Sequence, residues 1–198
     1  YGTLLVNPKG TAEGELTCAY CDCDYCGVSG KEKLSSSTRV LTRLTESIPE
    51  SSGEVGDNIS IDAILAAAKV LKAHIQANNA LPDYVIVNDE QYTLSQFLYL
   101  MSKAIGNIND GNLGNITVVG ASSPGTPNGD KISTNINKTE YLDVASRVSQ
   151  YIISNGQAPN YASSSAGKIS YADLLDAFSR ILAYYADNSK TLPNFVLI

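Results

Sequence analysis

The sequence predicts a mainly α fold with short β-strands, built from helical repeats and preceded by a small Cys-rich β/loop segment. Three observations predict it. The first is a motif written three times: "NNALPDYV" at Asn78 to Val85, "NGQAPNYA" at Asn155 to Ala162, and "NSKTLPNFV" at Asn188 to Val196. The second is a duplication. Sliding the chain by 77 residues lays residues 58–105 on residues 135–182 without a gap, with identities that include Asn58/Asn135, Ala68/Ala145, Pro82/Pro159, Tyr84/Tyr161, Leu98/Leu175 and Ser102/Ser179. The third is apolar periodicity of helical type on both sides of the motif.

In chain order, residues 1–50 form a Cys-rich segment in which "STRVLTRLTESIPE" reads as a worn earlier repeat helix, since Arg39, Val40 and Leu44 match Arg147, Val148 and Ile152. Repeat 1 covers 58–117. Its first helix carries Ile64, Leu65, Ala68, Leu71 and Ile75 on one face, matched in repeat 2 by Tyr141, Leu142, Ala145, Val148 and Ile152. The stripe stops at Asn78 and Asn155. Asn79 or Gly156 next in line suits a left-handed C-cap, and Pro82 or Pro159 cannot continue a helix. The motif is thus a helix stop leading into an extended piece, "YVIV", with β-propensity. Thr93 or Ser170 then caps a second helix with apolar Leu94, Phe97, Leu98, Met101 and Ile105, or Tyr171, Leu174, Leu175, Phe178 and Leu182.

Residues 118–133 read as a linker following one short strand in "ITVV". Residues 134–198 hold repeat 2 and a third half-repeat: Arg147, Val148, Tyr151, Ile152 and Asn155 return 33 residues later as Arg180, Ile181, Tyr184, Tyr185 and Asn188. One helix is therefore expected from about Tyr171 to Asn188.

Composition narrows the function. A net charge of -6 and pI near 4.7 argue against nucleic-acid binding, which needs a Lys/Arg surface. No apolar run reaches the roughly 20 residues of a membrane span. The chain starts at Tyr1 rather than Met, as expected where a secretory signal or the rest of a longer chain has been removed; export is the preferred reading, and three sequons, at Asn58, Asn115 and Asn137, agree with an extracellular location.

The stretch "ILAAAKVLKAHIQANNALPDYVIVNDEQYTLSQFLYLMSKAI" resembles the pseudomurein-binding repeat of wall-lytic enzymes from viruses of methanogenic archaea and of the surface proteins of those archaea. The Ala-rich helix, N-x-x-L-P-x-Y and the "FLYLMSKAI" helix carry the resemblance. Repeat 2 keeps "RVSQYIISNGQAPNYA" but departs in the last helix, "DLLDAFSRIL". The resemblance implies a pseudomurein partner, a polymer of alternating amino sugars and uronic acids cross-linked by short peptides.

The available chemistry is that of a binder. Tyr faces stack on sugar rings and Asn offers both donor and acceptor, so Asn78, Tyr84, Tyr99, Asn155, Tyr161 and Tyr151 are the candidate binding residues. Each has a bland alternative: a Tyr after Pro as a core plug, an Asn as a cap. No enzyme is expected and no cofactor implied. The single His, His74, stands where repeat 2 has Tyr151, and nothing pairs it with a nucleophile. Motifs of the G-x-S-x-G or H-E-x-x-H type are absent from the sequence.

Cys18, Cys21, Cys23 and Cys26 form one C-x-x-C-x-C-x-x-C array. In an exported protein two disulfides are the default. Zinc, or thiols that join subunits, are the other readings, the spacing being short for a metal site with two separate knuckles. A second function class stands beside wall binding: a structural subunit of an extracellular filament or surface layer, self-associating through those cysteines or through the β-prone ends "YGTLLV" and "NFVLI".

Overall fold

The computed structural model describes residues 52–198 and, ahead of them, two short strands. These are β1 (Leu4–Leu5) and β2 (Thr17–Cys18), an antiparallel pair in a unit of their own, residues 1–48. Of the cysteine array only the backbone of Cys18 is described; Cys21, Cys23 and Cys26 lie outside the described residues, as does the expected worn helix.

The second unit, residues 49–198, holds two halves with the same elements in the same order. The first half runs β3 (Asn58–Ile59), α1 (Ile61–Asn78), β4 (Tyr84–Val87), β5 (Glu90–Thr93), α2 (Leu94–Asn109) and β6 (Ile116–Thr117). The second runs β7 (Asn135–Asn137), α3 (Lys138–Asn155), β8 (Tyr161–Ser164), β9 (Gly167–Ser170), α4 (Tyr171–Asp187) and β10 (Phe195–Leu197). From the start of the first strand to the start of the last helix, every boundary except the end of that strand recurs 77 residues later.

The helix ends follow from local chemistry. Ser60 and Asn137 cap α1 and α3, and Thr93 and Ser170 cap α2 and α4, each through a side-chain oxygen accepting a backbone N–H three residues on. At Thr93 the Gln96 side chain returns a bond to complete a capping box. Asn79 (φ 49°) and Gly156 (φ 61°) are the left-handed C-caps expected of them. Between the helices stand two strands where the sequence suggested one. β4 and β5 form a hairpin through Asn88 and Asp89, both at positive φ as a type I′ turn needs, whereas β8 and β9 are joined through Ser165 and Ala166, neither at positive φ, with Gly167 (φ 125°) next in line.

The two halves share one core. α1 packs mainly on α4, and α2 mainly on α3, so each half's first helix lies against the other half's second helix. Lys69 to Asp187 (2.7 Å) bridges the α1–α4 seam, with Lys190 to Asp62 at 3.4 Å toward its end. The order of these contacts sets α1 and α4 antiparallel. α2 and α4 meet at their N-terminal ends, where Ser95 Oγ and Tyr171 Oη lie 3.0 Å apart in the buried interior. The reason is visible in α2: residues 95–102 are buried without interruption, so the helix needs apolar partners on every side. One half supplies too few of them.

The last strand of each half returns to its first. β3 pairs with β6 and β7 with β10, all antiparallel. "NFVLI" is thereby paired with β7 inside the fold. Within residues 118–133, expected as a linker, Val118 bonds to Gly56 and Asp57 of the first half and the stretch from Ser122 to Asp130 is tied along the second half. Ser122 N–H donates to Gly156 O and Ala158 N–H to Ser122 O, while Asp130 N–H donates to Lys168 O. The first half has the same edge contact, Gly53 N–H to Gln91 O, and there the Tyr92 ring leaves no space for any Cβ at Gly53.

Candidate functional site

The N-x-x-L-P-x-Y segment leaves the helix and turns back along it, and a cleft opens between the two. In the first half it is lined by Val70, Leu71 and His74 of α1 and by residues 81–86, with a volume of about 470 Å³. In the second half a cleft of the same volume is lined by Arg147, Val148 and Tyr151 of α3 and by residues 159–163. The linings correspond position for position: Val70 with Arg147, His74 with Tyr151, Asp83 with Asn160, Tyr84 with Tyr161.

Strand alternation decides which motif residues face the cleft. Successive side chains in a strand point to opposite sides. Val85 and Val87 enter the core, so Tyr84 (37% exposed) and Ile86 must stand outward; Ala162 enters, so Tyr161 (36%) stands outward too. The Tyr rings are therefore cleft walls rather than core plugs. Tyr151 faces the second cleft from the helix side and is exposed.

The cleft walls are held in place. Arg147 donates from Nη2 to Ser163 O at 2.8 Å and from Nε to Asp143 Oδ2 at 2.8 Å, clamping helix to strand. Asn160 Oδ1 accepts Thr126 N–H at 2.9 Å, so the segment before the second half fixes that lip. Lys168 Nζ sits 4.7 Å from the Tyr161 ring centroid, a cation–π contact on β9.

Three sequence-based expectations change here. Tyr99 is 6% exposed within α2, among core side chains whose desolvation raises its phenol pKa, and cannot face a ligand. Asn78 and Asn155 act at the helix ends: their amides donate to His74 O (2.9 Å) and Tyr151 O (2.8 Å), and neither lines a cleft. Conversely, Arg147, Asn160 and Ser163 line the second cleft and were missed. The repeat alignment could have found them, because they flank the motif on the same helix and strand faces. His74 holds the same position as Tyr151, as the alignment implied.

The three sequon residues are all exposed; Asn58 Oδ1 accepts the Thr117 hydroxyl, and Asn137 Oδ1 caps α3. Among the described residues, no His, Cys, Asp and Glu side chains gather in a group of three or more able to hold a metal, and no helix is long and apolar enough to cross a membrane.

A groove with an outward Tyr in its wall thus recurs at equivalent places in the two halves of one core. The family model for the pseudomurein-binding repeat matches residues 132–164. These residues are similar to that repeat, which supports a cell-wall polymer as partner, and every residue lining the second cleft lies inside the match. No curated protein matches the chain.

Proposed function

We propose that this is a non-catalytic extracellular protein that attaches to pseudomurein through the equivalent clefts of its two halves. The observation that carries the reading is the pair Tyr84 and Tyr161. In a domain that buries most of its other aromatic rings, these two stand outward at equivalent places, each beside a groove of about 470 Å³. A Tyr face stacks on the apolar side of a sugar ring, and the ring edges find polar partners in Asp83 and His74 or in Asn160, Arg147 and Ser163. Arg147 adds a positive charge suited to a uronate carboxylate.

Shallow clefts bind weakly one at a time. Two of them on one rigid body meet a repetitive polymer at high effective concentration, which supplies retention without any single tight site. Purified protein incubated with isolated pseudomurein and, separately, with bacterial murein tests the reading. Retention on pseudomurein but not on murein is expected; equal retention on both, or none on either, contradicts it.

A further inference from the structure

We propose that the joint between α4 and β10 is a third cleft of the same kind, binding an amino sugar and uronate segment of the same polymer. The proposal rests on the wall-binding reading above and extends it beyond the matched residues 132–164, into residues 176–197.

The frame is the same down to its hydrogen bonds. Arg180 Nη2 donates to Leu197 O at 2.6 Å and Arg180 Nε to Asp176 Oδ2 at 3.0 Å, as Arg147 does to Ser163 O and Asp143. Asn188 Nδ2 donates to Tyr184 O at 2.9 Å, as Asn155 does to Tyr151 O. The turn differs by one residue, with Ser189 (φ 51°) and Lys190 (φ 56°) taking the left-handed conformation in place of Gly156 alone. Pro193 and Phe195 then occupy the places of Pro159 and Tyr161.

A cleft of about 340 Å³ results, with Tyr184 on the helix side and Phe195 on the strand side. Strand alternation again turns Val196 inward and leaves Phe195 (63% exposed) and Leu197 outward. This is a large apolar surface for a half-repeat that only closes a fold, and a ring of that exposure is a stacking platform. Because α1 packs on α4, it adds Lys72 and Gln76 to the lining. Lys72 places an ammonium on the lining toward a uronate, beside Arg180, which is paired with Asp176, and Asp187, which is paired with Lys69. The third cleft is thus assembled from both halves and follows from their interlocking.

The chain contains no Trp, so Phe195→Trp installs a single fluorophore at the site. The probe is a soluble amino sugar–uronic acid fragment released from pseudomurein. Titration is expected to change the Trp emission saturably in the full-length F195W protein. The change should persist in F195W carrying Tyr84→Ala and Tyr161→Ala, and weaken at least severalfold when Tyr184→Ala is added. Silent Trp emission in a protein whose wild type is retained on pseudomurein overturns the third cleft and leaves the reading of the first two standing. A response that disappears with Y84A/Y161A also overturns it, since the fluorophore would then be reporting a distant event. Failure of wild-type retention on pseudomurein overturns the underlying reading instead.

Discussion

The first and second clefts share a backbone and differ in their walls. Pro82 and Pro159, Tyr84 and Tyr161, and the Asn amides that close α1 and α3 hold equivalent places, but Val70, His74, Asp83 and Ile86 of one face Arg147, Tyr151, Asn160 and Ser163 of the other. Beneath them the two halves are nearly interchangeable: Ala68/Ala145, Leu98/Leu175 and Ser102/Ser179 are identical and buried. The difference teaches that packing fixes the frame, while the cleft surface varies with two exceptions, Pro82/Pro159 and Tyr84/Tyr161. The Tyr pair is exposed and identical, although no packing demand keeps it so.

The largest expected effect breaks the comparison altogether. Deleting residues 134–198 removes the partners of α1 and α2 together, exposing the continuously buried face of α2. The truncated chain should show no cooperative unfolding transition by circular dichroism, and with it no separate first cleft. Next comes Phe97→Ala, which empties a fully buried position and should cost about 3–5 kcal/mol by denaturant titration. As the core is shared, both clefts should lose binding together at denaturant concentrations that unfold this variant.

Alkaline pH probes the same core. Tyr92, Tyr99, Tyr141 and Tyr171 all have pKa values raised above 10.0, with burial as the first cause in each. Asp57 and Glu90 beside the Tyr92 hydroxyl add to its shift, whereas Ser95 opposes that of Tyr171. The unfolded chain then releases these protons first, so stability should hold below pH 10 and fall as pH rises above it. A denaturation midpoint that stays flat from about pH 9 to 11.5 would contradict this placement of the rings.

The smallest effect belongs to the caps. Asn155→Ala loses one exposed side-chain bond to Tyr151 O and should cost about 0.5–1 kcal/mol, with retention on pseudomurein unchanged. A large loss of retention from this variant would place the Asn in the binding surface after all.

How much of this was legible in the sequence depends on what each feature answers to. Caps, helix faces and the duplication depend on residues near one another in the chain, and Ser170, Gly156 and the Ile64 to Leu71 stripe behave as their neighbours dictate. The hairpin strands β5 and β9 were missed because "EQYT" and "GKIS" are mostly polar, with only Tyr92 and Ile169 fully inward. The crossing of helices between halves is a long-range choice, and helix periodicity does not name the partner. Tyr99 was misjudged for the same reason: residues 95–102 of α2 are buried on every face, so helical spacing there leaves no exposed side for it. The outward Tyr pair was legible as a repeated residue, but only the inward Val85 and Ala162 decide its direction.

The central claim is that the clefts are binding surfaces carried on one shared core, and the Tyr84→Ala, Tyr161→Ala double variant tests it most directly. Both rings are over a third exposed, so their removal should lower stability by no more than about 1–2 kcal/mol in total, well below the cost of emptying a core site. Retention on isolated pseudomurein should nevertheless fall by well over tenfold, because two of the tethered sites weaken at once. Retention equal to wild type in a folded double variant would contradict the claim.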